Sequence, residues 1–170
     1  PHFKNVMLMS FACDVCGYKS SEIKPGGGIA EKGSKVSLRV TEKDDLSRDI
    51  LKSHEATFRV PELDLTLAAG TLGGRFTTIE GLIRLAKENL QSANPFVLGD
   101  SAQDAQRQKF AEFFSRLDDL LECTEPFTIE MDDPTGNSFI QNLYAPDPDP
   151  EMTVVEYTRT QEQNEDLGLA

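Results

Sequence analysis

The fold class is decided by the stretch Phe58-Arg59-Val60-Pro61-Glu62-Leu63-Asp64-Leu65-Thr66-Leu67, in which apolar and polar residues alternate. A period of two residues places every second side chain on one face of a β-strand. Proline lacks a backbone N–H and fixes φ, so Pro61-Glu62 predicts a sharp bend between two strands. The same alternation occurs in residues 36–40 and returns in residues 127–131. These repeats predict a mainly β domain.

Two stretches of helical periodicity interrupt the strands. The first follows Thr77-Thr78-Ile79-Glu80, a capping box in which we expect Thr77 to cap the helix and Glu80 to reach back. Its apolar residues recur at helical spacing: Ile79, Leu82, Ile83, Ala86 and Leu90. The second stretch begins at Ser101 and carries a longer stripe: Phe110, Phe113, Phe114, Leu117, Leu120 and Leu121. We therefore expect a helical hairpin at about residues 77–122, inserted between two sets of strands.

The segment Asp132-Asp133-Pro134-Thr135-Gly136-Asn137 has the composition of a turn. Proline fixes φ, glycine accepts a positive φ, and Asx side chains bind nearby backbone groups. Because Asp132 and Asp133 are adjacent, a turn role is favoured over a pair of acid–base carboxylates. Further short apolar pieces follow at residues 139–140, 143–144 and 154–155. The polar tail, residues 161–170, is expected to be frayed or ordered by a partner.

The negative charge is concentrated in the C-terminal part of the chain. The 170 residues carry 17 basic and 29 acidic side chains, a net charge of −12. Residues 100–170 hold 4 basic and 17 acidic side chains, a net of −13. This balance argues against a nucleic-acid binder, which needs a basic face, and leaves a solubilising surface or an acidic face for a basic partner. No apolar run approaches the roughly 20 residues of a membrane-spanning helix.

Two cysteines form a CxxC motif in Cys13-Asp14-Val15-Cys16-Gly17-Tyr18. Glycine after the second cysteine fits a knuckle whose backbone N–H groups point at thiolate sulfurs, and the polar residues 19–21 predict a turn. Zinc is therefore favoured over a redox site, which would begin a helix at the motif. A structural zinc needs four ligands, and His2, His54 and Cys123 lack partner spacing. We expect Cys123 to be a small buried residue and the two other ligands to lie upstream of this chain.

No combination of residues predicts catalysis. The chain has two histidines and no Ser/His/Asp set, and its glycine motifs match neither a phosphate-binding nor a dinucleotide-binding loop. The run Asp147-Pro148-Asp149-Pro150-Glu151 lacks the glycine of a calcium loop, and its prolines indicate an extended stretch. We therefore expect a binding module and not an enzyme. A small-molecule-binding or enzymatic β-helix domain is the alternative.

Several stretches together resemble the ZPR-type zinc-finger proteins of eukaryotes and archaea, and the resemblance covers nearly the whole chain. They are residues 1–4 with Cys13-Asp14-Val15-Cys16-Gly17-Tyr18, Leu72-Gly73-Gly74-Arg75-Phe76-Thr77-Thr78-Ile79-Glu80-Gly81, Asn94-Pro95-Phe96 with Leu98-Gly99-Asp100-Ser101, Asp132-Asp133-Pro134-Thr135-Gly136-Asn137-Ser138-Phe139, Tyr144-Ala145-Pro146 and Gln163-Asn164-Glu165-Asp166-Leu167-Gly168-Leu169.

The resemblance implies a fold and a zinc site. Eukaryotic members carry two copies of a zinc finger followed by a double-stranded β-helix, a jelly-roll-like domain with an inserted helical hairpin, and this chain resembles the second copy. The finger binds one zinc ion through two CxxC pairs, of which Cys13 and Cys16 match the second. Residues 1–28 would then be the C-terminal half of a zinc ribbon, and residues 29–170 the β domain.

The resemblance also implies a function. Family members are adaptor or chaperone-like proteins that bind translation elongation factor one alpha and assist its folding. They also bind the cytoplasmic region of growth-factor receptor tyrosine kinases, and they are cytoplasmic and nuclear. The elongation factor is basic, so the acidic C-terminal part suits it electrostatically. Five residues of the family's loop motifs are candidate partner contacts, with a turn role as the alternative: Gly73, Arg75, Asp133, Gly136 and Asn137.

Overall fold

The computed structural model describes residues 6–94 and 104–169. Its first element is an antiparallel hairpin of β1 (Val6–Ala12) and β2 (Lys19–Pro25), in which Ala12 pairs with Lys19. The hairpin contains the CxxC motif in the loop between its strands. Residues 19–21 therefore belong to a strand, and the turn expected there is wrong, because the six-residue loop already completes the reversal.

A five-stranded antiparallel sheet forms one layer of the β domain. Its strands, in spatial order, are β10 (Met152–Tyr157), β3 (Gly33–Val40), β8 (Phe127–Asp133), β5 (Thr57–Val60) and β6 (Leu65–Leu67). The alternating pattern fixes its register. The buried residues of β3 and β8 lie opposite one another, so both strands place their apolar side chains on the same face.

A three-stranded antiparallel sheet forms the second layer. Its order is β7 (Arg75–Thr78), β4 (Asp49–Lys52) and β9 (Phe139–Ile140). Buried residues of both sheets share one hydrophobic core, with Ile50 and Ile140 contributed by this layer. Two antiparallel sheets packed around a common core agree with the jelly-roll-like domain that the resemblance implies.

A helical hairpin connects the two sets of strands. It consists of α1 (Ile79–Ala93) and α2 (Asp104–Glu122), and each helix buries its apolar stripe in the core. Lys87 Nζ lies 2.5 Å from Asp118 Oδ1 and joins the exposed sides of the two helices. The predicted helical insertion is therefore present, between β7 and β8. The expected start of the second helix at Ser101 lies outside the described residues.

The helix cap differs from the prediction by one residue. Thr78, and not Thr77, caps α1, because its hydroxyl accepts a 3.1 Å hydrogen bond from the Gly81 N–H. Strand β7 pairs with β4 through Thr78, so the helix begins only at Ile79. Glu80 forms an ion pair with Arg84 at 2.7 Å instead of closing a capping box.

The structure corrects two predictions, for Leu63 and for the tail. Leu63 belongs to a 3-10 turn, Pro61–Leu63, and the next strand begins at Leu65. The short apolar piece at residues 143–144 forms an exposed turn. The tail is not frayed where it is described, because α3 (Gln161–Asp166) forms there and the Thr160 hydroxyl accepts from the Gln163 N–H.

Candidate functional site

The loop of residues 13–18, here called the zinc knuckle, connects β1 to β2 and is closed by two backbone hydrogen bonds. The Cys13 N–H donates to the Tyr18 carbonyl at 2.8 Å, and the Gly17 N–H donates to the Cys13 carbonyl at 2.9 Å. Gly17 has φ +71°, a left-handed conformation that glycine adopts without a steric penalty. The glycine after the motif therefore allows the loop to curl around the Cys13 sulfur.

The electrostatics of the zinc knuckle fit a thiolate ligand. Hydrogen bonds from the backbone N–H groups of Cys16 and Val15, and from the Cys16 side chain, lower the pKa of the Cys13 thiol. A metal-bound cysteine is a thiolate, and donors aimed at sulfur stabilise that charge. Cys13 is half-buried, Cys16 is exposed, and neither forms a disulfide. The donor set therefore suits half of a tetrahedral zinc site.

The described residues do not complete that set of ligands. Within residues 6–94 and 104–169 there is no group of three or more His, Cys, Asp and Glu residues that could hold a metal. Cys123 follows the end of α2 with φ +51° and packs against the core, and burial raises the pKa of its thiol. His54 is exposed, with Nδ1 2.9 Å from Glu55 Oε1, and His2 lies outside the described residues.

Two of the five predicted partner residues lie at the start of β7. Gly73 has φ +64°, and no atom would lie within 4 Å of a Cβ added there. Arg75 Nε donates to the Leu72 carbonyl at 2.8 Å, and Arg75 is only partly buried. The loop before β7 thus has free space beside Gly73, and its Leu72 carbonyl holds the Arg75 side chain in place.

The three other predicted residues lie in residues 133–138, here called the polar turn. Asp133 is fully buried, and its two carboxylate oxygens accept five hydrogen bonds of 2.6–3.0 Å. The donors are the backbone N–H groups of Thr135, Asn137 and Ser138 and the hydroxyls of Thr135 and Ser138. The turn role expected for Asp133 is therefore observed, because the carboxylate is enclosed by its own loop.

A buried lysine links the polar turn to the start of β7. Lys52, the last residue of β4, is fully buried and pairs with Arg75 in the sheet. Burial lowers the pKa of Lys52, and the charge of Asp133 partly counters that shift. Ser53 N–H donates to the Ser138 hydroxyl at 3.0 Å. The end of β4 therefore lies between Arg75 and the polar turn.

The polar turn also holds the segment that leaves the finger. A Cβ at Gly136 would lie 2.5 Å from the Lys32 carbonyl oxygen, so only glycine permits this approach. The Ala30 N–H donates to the Thr135 carbonyl at 2.9 Å. Arg159 adds hydrogen bonds from Nη1 to the carbonyls of Ala30 and Pro134. These contacts hold residues 30–32 against the polar turn.

Sequence reasoning missed a second buried charge cluster. The Arg48 guanidinium is 2% exposed and forms ion pairs with Asp45 and with Asp149. Arg48 Nη1 also donates to the Gln141 carbonyl at 3.0 Å. Burial raises the pKa of Asp45, but hydrogen bonds from the Thr41 backbone and from Arg48 outweigh it and hold that pKa below its usual value. No local spacing indicates this cluster, because 101 positions separate Arg48 from Asp149.

Comparison with known protein families accounts for both parts of the chain. Residues 1–31 match the model of the ZPR1 zinc-finger domain, and residues 44–169 match that of the ZPR1 jelly-roll domain. The chain belongs to the ZPR1 family. The two matches agree with the hairpin that carries the zinc knuckle and with the two-layered β domain. Zinc is the metal of the ZPR1 finger, and the knuckle geometry fits it.

Individual relatives support the assignment. The chain is 44% identical over 169 residues to zinc finger protein ZPR1 of Homo sapiens and 49% identical over 169 residues to zinc finger chaperone zpr1 of Schizosaccharomyces pombe. Each alignment covers 99% of this chain and 37% of the relative, so the chain spans little more than a third of their length. A ZPR1-like protein of Pyrococcus horikoshii is 29% identical over 140 residues, which is 81% of this chain and 61% of that protein.

Proposed function

We propose that this chain is a zinc-finger binding module with a chaperone-like role, which recognises translation elongation factor one alpha and assists its folding. The observation that carries the proposal is the 49% identity over 169 residues to a protein named as a zinc finger chaperone. A chaperone of this kind acts by binding a client, and neither the zinc knuckle nor the polar turn has the arrangement of a catalytic centre. We therefore infer that the module is not an enzyme.

Charge supports a basic client. Residues 100–170 carry a net charge of −13, and the basic side chains there include Arg116 and Arg159, which both donate to backbone carbonyls. An acidic surface attracts a basic partner at long range and raises its association rate more than its affinity. The elongation factor, a basic protein, fits this surface.

We propose Cys13 and Cys16 as two ligands of one zinc ion, with the two others upstream of this chain. In this proposal residues 1–28 are half of a zinc ribbon and residues 29–170 are the β domain. The donors that point at the Cys13 sulfur support the assignment. Zinc would fix the conformation of the finger, and the contacts of residues 30–32 would couple that conformation to the polar turn.

The partner surface is proposed to include Gly73 and Arg75, which lie at an open loop, and the polar turn at Asp133, Gly136 and Asn137. Asp133 is enclosed, so its contribution would be to shape the turn.

We also propose binding to the cytoplasmic region of receptor tyrosine kinases and a cytoplasmic and nuclear location. Buried apolar side chains of both sheets form one hydrophobic core, which favours a binding surface on the outside of the domain over a small-molecule site between its sheets.

A pull-down with the purified elongation factor tests the proposal. We expect immobilised chain, or a version extended upstream, to capture the newly synthesised factor more strongly than the mature factor, because a chaperone prefers a folding client. An unrelated acidic protein of similar size is the control for nonspecific charge attraction. Failure of both lengths to capture either form of the factor would contradict the proposal.

A further inference from the structure

Strand β10 leaves one edge of the five-stranded sheet without a neighbour among residues 6–94 and 104–169. It pairs only with β3 there, from Met152 opposite Leu38 to Tyr157 opposite Gly33. An edge strand offers a row of backbone donors and acceptors to another chain, and proteins usually shield such edges with bulges, prolines or charges. Between Met152 and Tyr157 the sequence has no proline and a single charged residue, Glu156.

The two faces of β10 are open as well. Val154 lies opposite Val36, which is 4% exposed, yet Val154 itself is 57% exposed. The second layer of the domain therefore ends at β3. Val155, on the opposite face, is 52% exposed. Two adjacent valines have the β-propensity of a sheet interior, and here they lie at its border.

The hydrogen-bond pattern identifies the backbone groups that face outward. In an antiparallel pair, residues alternate between those bonded to the neighbouring strand and those pointing away from it. The Arg39 N–H donates to the Glu151 carbonyl at 2.9 Å, so Glu151 points toward β3. Thr153 and Val155 then also bond to β3. The N–H and C=O groups of Val154 and Glu156 point outward.

The charge around this edge selects the occupant. Residues 147–169 contain seven acidic side chains, of which Asp149 is buried and paired with Arg48, and one basic side chain, Arg159. Arg159 is committed to the carbonyls of Ala30, Glu31 and Pro134. Glu156 keeps 70% of its side chain exposed, although Lys32 Nζ lies 4.0 Å from it. A second copy would bring two such acidic segments together, whereas a strand with lysine or arginine would neutralise this one.

We propose that β10 is a docking edge for an extended, basic segment of a partner protein, which adds to the sheet as a sixth strand. Its backbone pairs with Val154 and Glu156, and its lysine or arginine side chains on one face meet the exposed Glu156 carboxylate. Strand addition of this kind obtains affinity from main-chain hydrogen bonds and specificity from alternate side chains. The proposal depends on the sheet edge alone and stands apart from the identity of the elongation factor as a client.

The test uses the 170-residue chain and a synthetic peptide of the pattern Lys-Val-Lys-Thr-Lys-Val, with a Glu-Val-Glu-Thr-Glu-Val peptide as its charge control. Nuclear magnetic resonance reports binding and amide exchange. We expect the basic peptide to slow exchange at the amides of Val154 and Glu156. Thr153 and Val155, already bonded to β3, should change little. Added salt should weaken binding, because part of the attraction is between exposed charges.

A matched pair of variants isolates the backbone contribution. Val154→Pro removes an outward N–H that β3 does not use, and proline is tolerated at such edge positions. Val154→Thr keeps the N–H and the β-branched shape. We expect Val154→Pro to weaken peptide binding about tenfold, the effect of one lost hydrogen bond, and Val154→Thr to leave it nearly unchanged. Thermal unfolding verifies that both variants remain folded.

Three outcomes would overturn the proposal. The acidic peptide could bind as tightly as the basic one. Folded Val154→Pro could bind as tightly as the unsubstituted chain. Self-association could bury the amides of Val154 and Glu156 without any peptide, in which case a second copy occupies the edge. An absence of peptide binding also rejects the docking edge, and it leaves capture of the elongation factor to be judged by its own pull-down.

Discussion

The Arg159 guanidinium donates a 2.8 Å hydrogen bond from Nη1 to the carbonyl oxygen of Ala30, so the end of the β domain holds the segment that leaves the finger. The same nitrogen donates to the Pro134 carbonyl at 2.9 Å, and Nη2 donates to the Glu31 carbonyl at 3.0 Å. One side chain thus satisfies three carbonyls from two segments that are far apart in sequence. Arg159 therefore couples the position of the finger to the polar turn.

Replacing this arginine should destabilise the domain. Arg159→Ala removes four hydrogen bonds from a charged donor, three to backbone carbonyls and one to Asn164 Oδ1, and we expect the free energy of unfolding to fall by about 2–3 kcal/mol. Arg59→Ala is the matched control, because Arg59 is exposed and makes one long contact, 3.4 Å from Nε to the Thr66 hydroxyl. The Arg59→Ala substitution should lower the free energy of unfolding by about 0.5 kcal/mol or less. Urea unfolding measures both, and equal losses would contradict a coupling role for Arg159.

A pair of glycines separates backbone strain from steric contact. Gly136 and Gly73 have nearly the same φ, +67° and +64°, but a Cβ at Gly136 would lie 2.5 Å from the Lys32 carbonyl oxygen. We expect Gly73→Ala to cost about 1–2 kcal/mol, the strain of a left-handed alanine. Gly136→Ala should cost clearly more, because residues 30–32 must also move. Chemical unfolding of both variants tests this, and similar losses would show that residues 30–32 yield easily.

The Gly73→Ala variant also tests whether Gly73 contacts the partner. Gly73 lies in an open loop, so Gly73→Ala leaves the domain folded and can be assayed for capture of the elongation factor. If Gly73 is a partner contact, capture of the factor weakens although the variant, which loses only about 1–2 kcal/mol of unfolding free energy, remains folded at the temperature of the assay. Unchanged capture assigns Gly73 a turn role alone.

Alternating and helical periodicity predicted the central elements because burial enforces them. Val36, Leu38 and Val40 are 4%, 0% and 0% exposed, and the inward residues of β8 match them across the ladder. The CxxC and the following glycine predicted a knuckle because its hydrogen bonds are local. In each case the contacts that determine the structure lie within one element, or follow a pattern that repeats along that element.

Contacts between distant segments escaped the sequence analysis. Asp149 was one acid in a run with alternating prolines, yet it is 6% exposed and paired with Arg48. The tail helix α3 is short and polar, and it is held in part by Arg159 Nε, which donates to Asn164 Oδ1 at 2.9 Å. Neither feature has a periodic pattern, because each depends on a single long side chain reaching across the fold.

The buried cluster around Arg48 should make the domain sensitive to acid. The pKa of Asp45 is held below its ordinary value of 3.8, so the folded state binds the proton less readily than the unfolded chain. The resulting stabilisation is fully present above pH 3.8 and is lost as pH falls through the lower folded pKa. We therefore expect the Asp45 contribution to the free energy of unfolding to stay constant down to about pH 4 and to decrease as the pH falls further.

Asp45→Asn identifies the source of that decrease. Asparagine cannot ionise, so at neutral pH this variant should have a lower free energy of unfolding than the unsubstituted chain. Its free energy of unfolding should also fall less on acidification. The difference in free energy between the two proteins should therefore narrow at low pH. Asp44→Asn is the control, since Asp44 is exposed in the same turn. Urea unfolding across the pH range supplies the measurement. A difference that stays constant with pH would assign the acid response to other carboxylates.

Zinc binding should depend on Cys13 and not on Cys123, although both are free thiols. In a version extended upstream to include a first CxxC pair, Cys13→Ser removes one of four ligands from the site. We expect its zinc content after gel filtration to fall well below one ion per chain, because a structural zinc needs all four ligands. Cys123→Ser should retain full zinc, since that thiol packs against the core beyond α2. The 170-residue chain should hold less zinc than the extended version, and equal content in the two lengths would contradict a zinc site divided between this chain and the residues before it.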